Sequence, residues 1–260
     1  MQVYLINLDR QPLRRKRMEE LLRGLPYRRI TAVDGRTVAG PERRDISRPQ
    51  SCENLSRYER ACTLSHRAAW QEFLAGQERY ACILEDDIFL SPDFSRFIKD
   101  DSWIPGDCDR MKIETYQQKV FVTRAHTKCL NRKASVLLSL HFGTAAYIVS
   151  RADAAALLER TTVLDRTCDR LIFDEDAIRN HHPIYQLIPA LCVQNARSRN
   201  GIPFPEMESA IQPATVVKRK TVLTKIKMEL TRPLNQLMDR LQTLVRERRL
   251  RARCGVVPFS

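Results

Sequence analysis

Three consecutive acidic residues, Glu85, Asp86 and Asp87, are the part of the sequence best suited to chemistry. They directly follow an apolar run, residues 80–84, that has the length and composition of a buried strand. Ligands of open α/β sheets bind beyond the carboxyl ends of the strands, which is where this triplet falls. Glu85 and Asp87 point the same way if the extended backbone continues, so their two hard carboxylates can hold Mn²⁺ or Mg²⁺ and leave positions for a diphosphate. The alternative interpretation is a solvated acidic turn.

Polar residues near two other predicted elements are further candidates for binding. Asn7 and Arg10 lie at the end of the first predicted strand, and with Arg14 they are placed to meet a base or a phosphate. Ser65 and His66 lie near the start of a helical pattern, where the histidine can contact a phosphate or an acceptor. The simpler alternatives are a basic surface helix for the first group and capping or packing for the second.

A reaction in which a hydroxyl group attacks needs a general base, often a carboxylate, to accept the hydroxyl proton. Glu114, Asp169 and Asp174 are the candidates, and the sequence does not choose among them. Asp174 begins an acidic cluster that equally suits the first turn of a helix, where negative charge is favourable.

The elements that must position these residues follow an alternating pattern. A strand at 3–8, an amphipathic helix at 12–25 and a strand at 29–33 predict one βαβ unit and hence a parallel sheet. The same patterns predict later helices at 56–76, 152–160 and 174–179, and strands at 80–84, 109–115, 142–150 and 184–193. We therefore expect an α/β domain over residues 1–213.

Composition excludes several classes of protein. Hydrophobic residues make up 43% of the chain and charged residues 29%, as in an ordinary globular protein. The eight cysteines are scattered without a CxxC pair, which favours reduced, buried thiols over disulfides or a zinc site. Because the sequence shows no signal peptide and no spanning segment, we expect a cytoplasmic location.

Residues 214–260 form a separate basic appendage in this interpretation. Of the net charge of +13, nine charges come from residues 216–254, which hold twelve Lys or Arg and three acids. Apolar residues recur there at helical spacing, with arginines on the other faces. A basic amphipathic helix suits an anionic membrane surface. The alternatives are packing on the catalytic domain, subunit pairing, or a nucleic-acid-binding protein, although no nucleic-acid module or aromatic platform accompanies the tail.

Several segments in a fixed order resemble glycosyltransferase family 25, the bacterial lipooligosaccharide galactosyltransferase group. The resemblance covers roughly residues 1–200, and YACILEDD at 80–87 is similar to the most characteristic stretch of the family. The other matching segments are VYLINLDR at 3–10, AVDG at 32–35, Glu59 with CTLSH at 62–66 and Trp70, FGTAAYIVS at 142–150, and Asp169.

The resemblance implies a glycosyltransferase A fold, a Rossmann-like mixed sheet flanked by helices, with a divalent metal and a UDP-sugar donor, commonly UDP-galactose. It implies a β-linkage made with inversion on a Glc or GlcNAc residue of a lipid-linked oligosaccharide. The basic amphipathic tail adds the expectation of an enzyme peripheral to the inner membrane. Glu85 and Asp87 take the place of the metal-binding motif. The donor-binding residues in this prediction are Asn7, Arg10, Asp34, Ser65, His66 and Asp86, and Asp169 lies near the acceptor.

One departure from the family pattern concerns the stretch before Cys62. Residues 58–61 read YERA, where the family usually has glycines on both sides of the glutamate, so the local loop geometry is expected to differ. The basic segment 123–140 predicts a lid that closes over the diphosphate. A metal-dependent hydrolase using the same carboxylates is a further alternative, but no histidine-rich metal shell accompanies them.

Overall fold

The computed structural model describes residues 1–45, 47–173, 183–195 and 241–260, and they form an α/β fold. The labelled helices are α1 (Pro12–Leu21), α2 (Arg57–Ala75), α3 (Phe94–Lys99), α4 (Arg151–Arg160) and α5 (Cys168–Phe173). The strands up to the middle of the chain are β1 (Gln2–Asn7), β2 (Tyr27–Thr31), β3 (Tyr80–Glu85), β4 (Ile88–Leu90), β5 (Arg110–Lys112), β6 (Glu114–Thr115) and β7 (Lys119–Thr123). The later strands are β8 (Thr127–Cys129), β9 (Arg132–Val136), β10 (Ala146–Ser150), β11 (Ile184–Ile188), β12 (Cys192–Gln194) and β13 (Ala252–Val256).

The main sheet is mixed and has eight strands in the order β2-β1-β3-β10-β5-β11-β9-β8. Strand β1 lies between β2 and β3 and is parallel to both, as the predicted βαβ unit requires. Strand β10 is antiparallel to β3 and to β5. The carboxyl ends of β1, β2 and β3 therefore meet at one edge of the sheet, and the predicted α/β class is confirmed.

Helices cover both faces of the sheet. Successive side chains of its central strands point to opposite faces and are apolar on both, so both faces need to be buried. Helices α1 and α3 pack on the face that carries Val3, Leu5 and Cys82. Helices α2, α4 and α5 pack on the opposite face, against Tyr4 and Tyr147. The strands nearest the candidate site are thus held rigidly from both sides.

Helix α2 begins with a capping box. The Ser56 side chain accepts from the Glu59 amide, and the Glu59 side chain accepts from the Ser56 amide, so two otherwise unpaired donors are satisfied. The helix then buries Ala69, Trp70 and Phe73 against the sheet. This anchoring fixes the register of residues 62–66, which carry the histidine of the candidate site.

Two predicted strands are each divided in the structure. The segment 109–115 forms β5 in the main sheet and β6 in a second sheet with β4 and β12, and Ile113 marks the change. The segment 184–193 likewise forms β11 and β12. A pattern of continuous apolar residues predicts burial but cannot show where a strand leaves one sheet for another.

The predicted lid at 123–140 is wrong. Strands β8 and β9 of this segment belong to the main sheet. Arg132 is only 4% exposed, and its guanidinium donates to the Ser91 hydroxyl and to the carbonyls of Pro189 and Ala190. The positive charge of the segment suggests a phosphate-binding surface, but the arginine at its centre is part of the core.

The last residues do not continue the predicted helical appendage. Residues 241–249 are helical, but β13 pairs antiparallel with β7, and Val257 is buried with its carbonyl accepting from the Thr115 hydroxyl. The prediction of helix through residue 260 is therefore corrected for 252–260, which join the body of the protein. Most of the rest of the predicted appendage, and the boundary at 213, lie outside the described residues. Among the described helices, none has the length and apolar character needed to cross a bilayer.

Candidate active site

A cleft opens at the edge of the sheet where β1, β2 and β3 end, as expected for an α/β sheet. It encloses about 670 Å³, including the part open to solvent. The acidic triplet lines it on one side and helix α2 on another. Candidate residues that meet in this cleft are Arg10, Ser65, His66, Glu85, Asp86 and Asp87.

Asp86 is held by two residues from the start of the chain. Its Oδ2 accepts from Asn7 Nδ2 at 2.7 Å and its Oδ1 accepts from Arg14 Nη1 at 3.0 Å. Burial raises the pKa of Asp86 above its ordinary value, although Arg14 and Asn7 favour the ionised form. The sequence predicts that Asn7 and Asp86 both bind the donor, but the structure turns them toward each other, so they support the cleft wall.

Asp87 is nearly buried, and one of its carboxylate oxygens has no partner. The residue is 5% exposed, and Oδ1 accepts no hydrogen bond from any described residue. Burial, followed by the charges of Glu85 and Asp86, raises the pKa of Asp87 to about 8. The Asn195 amide donates to the Asp87 carbonyl at 2.8 Å, so the backbone is fixed while Oδ1 has no partner among the described residues. An unpaired buried carboxylate beside two others is unfavourable unless a cation joins them.

Glu85 is oriented by a chain of hydrogen bonds that begins in the core. Trp70 Nε1 donates to the Tyr147 hydroxyl oxygen at 2.8 Å, and that hydroxyl lies 2.9 Å from His66 Nδ1. His66 Nε2 is 3.2 Å from Glu85 Oε1, which also accepts from the Thr144 hydroxyl at 2.7 Å. The predicted histidine is thus a positioning residue for Glu85.

The charges of this pair follow from its contacts. Burial disfavours a charged imidazole, but hydrogen bonds with Cys62 and Glu85 outweigh it and raise the pKa of His66 to about 9. Burial would raise the pKa of Glu85, but His66 and Thr144 hold it below its ordinary value. Glu85 is therefore an ionised, oriented carboxylate at neutral pH, and its side chain is 23% exposed.

Ser65, Arg10 and Asp34 lie around the cleft with different roles. Ser65 Oγ accepts from the Val33 amide at 2.9 Å, which ties α2 to the end of β2. Arg10 Nε donates to Asp34 Oδ2 at 2.8 Å, and both side chains are partly exposed. Arg10 is thus available at the rim, whereas Ser65 has a structural contact.

Tyr58 forms a wall of the cleft that sequence patterns do not reveal. A Cβ added at Gly35 would overlap the Tyr58 ring and lie 3.0 Å from Tyr58 Cα, so only glycine allows this close approach. Gly35 belongs to the AVDG segment at 32–35, but the ring that covers it comes from α2, which the sequence alone does not bring there.

Cys62 is a second cleft residue that the sequence does not identify, since its scattered cysteines predict core thiols. It lines the cleft one turn before His66 and contacts Thr144 Oγ1 at 3.9 Å. A hydrogen bond from Cys168, followed by the contact with His66, lowers the pKa of Cys62 to about 6 despite its burial. All eight cysteines are free thiols, but the predicted burial holds for five of them: Cys52 is exposed, and Cys62 and Cys254 are half-buried.

The candidates for general base are divided by burial. Glu114 is fully buried, lies 3.1 Å from Lys112 Nζ and accepts from the Ala146 amide at 2.8 Å. Burial lowers the pKa of Lys112 and raises that of Glu114. Glu114 therefore holds strand β10 in place and has no surface to offer an acceptor, which argues against its predicted role.

Asp169 is half-buried, so it is more accessible to solvent than Glu114. Its Oδ1 accepts from Thr167 Oγ1 at 2.6 Å and from the Arg170 amide at 2.9 Å. Within the described part of the chain, its Oδ2 has one long contact, 3.5 Å from the Gly143 amide. One oxygen is thus fixed while the other is weakly held. Asp174, the third candidate, lies outside the described residues.

The residues that form the cleft lie within the part of the sequence that is similar to known proteins. The family model described as glycosyltransferase family 25 (LPS biosynthesis protein) matches residues 1–172. The lacto-N-neotetraose biosynthesis glycosyltransferase LgtE of Neisseria meningitidis is 35% identical over 152 residues, which are 54% of this chain and 54% of that protein. The chain thus spans about half the length of this relative.

Two longer matches and one solved structure complete the comparison. The lacto-N-neotetraose biosynthesis glycosyltransferase LgtB of Neisseria meningitidis is 28% identical and covers 79% of each protein. The lipooligosaccharide biosynthesis protein lex-1 of Haemophilus influenzae is 27% identical over 74% of this chain and 70% of that protein. A crystal structure of a glycosyltransferase involved in glycosylation of the major capsid of PBCV-1 has a TM-score of 0.41 and 9% identity, over 74% of this chain and 91% of the other. Because the family model matches well over half of the sequence, including the whole acidic cleft, the chain belongs to glycosyltransferase family 25.

Proposed function

We propose that the protein transfers a hexose, galactose from UDP-galactose, onto a Glc or GlcNAc residue of lipooligosaccharide or a related glycan, with inversion at the anomeric carbon. One observation carries the proposal: a family-matched cleft at the carboxyl ends of parallel strands contains a buried carboxylate oxygen, Asp87 Oδ1, that has no hydrogen-bond partner among the described residues. The names of the relatives, which refer to lipooligosaccharide and lacto-N-neotetraose biosynthesis, support the acceptor class.

The residues of the cleft fit a divalent cation of the Mn²⁺ or Mg²⁺ type. Oxygen ligands suit these hard ions, and Glu85 and Asp87 would supply them. The raised pKa of Asp87 marks a crowded negative cluster that a cation would relieve. When bound, the ion neutralises the charge that develops on the leaving diphosphate.

The protein's own residues then bind and orient the substrates. His66 and Thr144 hold Glu85 in one orientation, so the pocket is organised before the donor arrives. Arg10 at the rim supplies positive charge for the diphosphate, and the Tyr58 ring offers a flat surface for the base. These roles leave the acceptor to approach from the side of β10 and α5.

Asp169 is our choice for the general base. As the acceptor oxygen bonds to the anomeric carbon, its proton passes to Asp169 Oδ2, and the bond between the sugar and UDP breaks. This carboxylate oxygen is weakly held at Gly143, and the side chain of the next residue, Thr144, reaches Glu85 in the cleft. Glu114 is less suited because it is wholly buried.

The test measures UDP release from a panel of UDP-sugars with Mn²⁺, with and without a Glc- or GlcNAc-terminated acceptor. We expect one donor to be consumed only when acceptor and metal are both present. Asp87→Asn and Asp169→Asn should each lower kcat at least about a hundredfold, whereas the exposed helix α4 variant Glu159→Gln should match the parent. Equal donor consumption without acceptor would instead establish a hydrolase, and no turnover of any donor would refute the proposal.

We further propose that the 241–249 helix contacts an anionic membrane surface, which would bring the enzyme to a lipid-linked acceptor. Leu241, Leu244 and Val245 are 47%, 60% and 66% exposed, close to several arginines. Exposed apolar residues beside basic ones favour an interfacial position.

Exchange of these three residues for Gln should reduce co-sedimentation with vesicles that contain anionic lipid. The matched control replaces Leu13 and Val163, which are 57% and 58% exposed elsewhere on the surface. Undiminished sedimentation of the triple variant, or an equal loss in the control, would contradict the membrane proposal. Binding to nucleic acid in place of vesicles would favour the other partner class that a basic tail suggests.

A further inference from the structure

A cluster of two thiols and an imidazole lies behind the acidic cleft. Cys62, His66 and Cys168 each offer one potential ligand atom, and these three atoms all lie within 4.8 Å of one another. We propose that they bind a thiophilic divalent cation of the Zn²⁺ class, at a site distinct from the Glu85 and Asp87 pair.

The fold supplies the spacing that the sequence lacks. Cys62 and His66 are four residues apart on α2, so they lie on the same side of that helix. Cys168, the first residue of α5, is brought to them by the packing of α5 against α2. A search for closely spaced cysteine pairs overlooks a site whose third ligand is more than a hundred residues away.

The distances are close to those of a bound zinc ion. Tetrahedral Zn²⁺ with Zn–S of about 2.3 Å and Zn–N of about 2.0 Å separates its ligand atoms by about 3.5 to 3.8 Å. The three atoms, now within 4.8 Å of one another, must approach by up to about 1.3 Å to reach that separation. Side-chain rotation about χ1 is the motion available to the two thiols.

The surroundings also suit a metal-bound histidine. His66 has a partner on each ring nitrogen, the Tyr147 hydroxyl at 2.9 Å and Glu85 Oε1 at 3.2 Å. Whichever nitrogen binds the cation, the other keeps a hydroxyl or carboxylate partner, and this is the usual arrangement around metal-binding histidines. His66 therefore links the proposed thiol site to the orientation of Glu85.

Ligand chemistry separates the two cation sites. Thiolate sulfur selects Zn²⁺ and related ions, whereas carboxylate oxygen selects Mg²⁺ or Mn²⁺. Three protein ligands leave a fourth position, as in zinc sites that also bind water or a substrate. Cys62 and His66 line the cleft, so two of the three proposed ligands can be approached from the cleft.

The test uses Co²⁺ as a spectroscopic substitute for Zn²⁺ on the full, reduced chain, with excess Mg²⁺ present to occupy the acidic pair. We expect one equivalent of Co²⁺ to give a thiolate-to-cobalt absorption band, which oxygen ligands alone do not produce. Zn²⁺ should abolish the band by competition. Cys62→Ala and Cys168→Ala should each remove it.

The matched control is Cys82→Ala, which removes a thiol that is buried like Cys168 but lies on the opposite face of the sheet. This variant should bind Co²⁺ as the parent does, and circular dichroism establishes that each variant is folded. Absence of the thiolate band in the reduced parent would overturn the proposal, as would a band that persists in Cys168→Ala. Neither result depends on sugar transfer, so this inference and the proposed function fail separately.

Discussion

Replacement of Asp87 by Asn should stabilise the metal-free protein while it inactivates the enzyme. Asn has nearly the same shape as Asp but carries no charge, so it removes the repulsion among the three carboxylates. Burial and the neighbouring charges raise the pKa of Asp87 to about 8, which means that the ionised carboxylate is unfavourable in the folded protein. In the unfolded chain the same carboxyl titrates near pH 3.9.

The sign of the pH dependence follows from these two values. Between about pH 4 and pH 8 the folded state retains a proton that the unfolded state has lost, so the stability of the parent falls as the pH rises. Each pH unit in this window costs up to about 1.4 kcal/mol. From pH 5 to pH 8 the upper bound is about 4 kcal/mol, and sharing of charge with Glu85 and Asp86 reduces our expectation to about 2 kcal/mol.

The assay is thermal unfolding in EDTA at pH 5 and at pH 8. The advantage of Asp87→Asn over the parent should grow by about 2 kcal/mol across this range, or about 4–8 °C in Tm for a domain of this size. Addition of Mn²⁺ should then raise the Tm of the parent, because only the folded state binds the ion, and leave the variant unchanged. Glu159→Gln serves as the control, because it should alter neither the pH dependence of the stability nor the increase in Tm on addition of Mn²⁺.

A variant that is less stable than the parent at pH 8 in EDTA would refute this reasoning. It would mean that the Asp87 carboxylate is satisfied by contacts in the folded protein, and that the triplet is an ordinary acidic turn. Equal Mn²⁺ stabilisation of parent and variant would place the cation elsewhere.

Three further predictions concern the framework of the site. Gly35→Ala should displace Tyr58 and raise the donor KM about tenfold, equivalent to about 1.4 kcal/mol, whereas Gly106→Ala, where a Cβ meets nothing within 4 Å, should leave KM unchanged; an unaltered KM in both variants would contradict a role for the Tyr58 wall. Arg132→Ala should cost about 3 kcal/mol of stability because it leaves buried partners unpaired, with donor KM unaffected, and a raised KM in a folded variant would restore the lid hypothesis. Ser56→Ala removes the capping box and should lower the free energy of unfolding by about 1 kcal/mol, measured by urea titration, and no change would show that the cap is not needed.

Local sequence patterns predict the first half of the fold and the position of the cleft. Strand β1, helix α1, strand β2 and strand β3 follow periodic patterns that depend on neighbouring residues. The end of a strand is also a local feature, so the sequence alone is enough to place Glu85 and Asp87 at a sheet edge. Local patterns thus carry the parts of the site that come from consecutive residues.

Contacts between distant segments cannot be predicted in this way. Whether Asp86 faces a substrate or Arg14 depends on how α1 packs beside β3. The burial of Arg132 and of the Lys112–Glu114 pair depends on strands that join the sheet out of chain order. A charged residue looks the same in the sequence whether it lies on the surface or in the core. Charge alone therefore leads to the incorrect lid prediction at 123–140 and to Glu114 as a candidate base.

The pairing of β13 with β7 determines how the segment that precedes β13 is connected to the rest of the protein. Because residues 252–260 pack on the body, the chain from 196 to 240 is topologically an insertion and not a tail. It is covalently connected to the same body at both ends, whatever structure it takes. Because both ends of the insertion are connected to the body, a partner bound to it can rotate less relative to the cleft than a partner bound to a tail with one connection. For the same reason, truncation at residue 213 would also remove a strand of the fold, so an internal excision that keeps β13 is the cleaner way to isolate what the segment does.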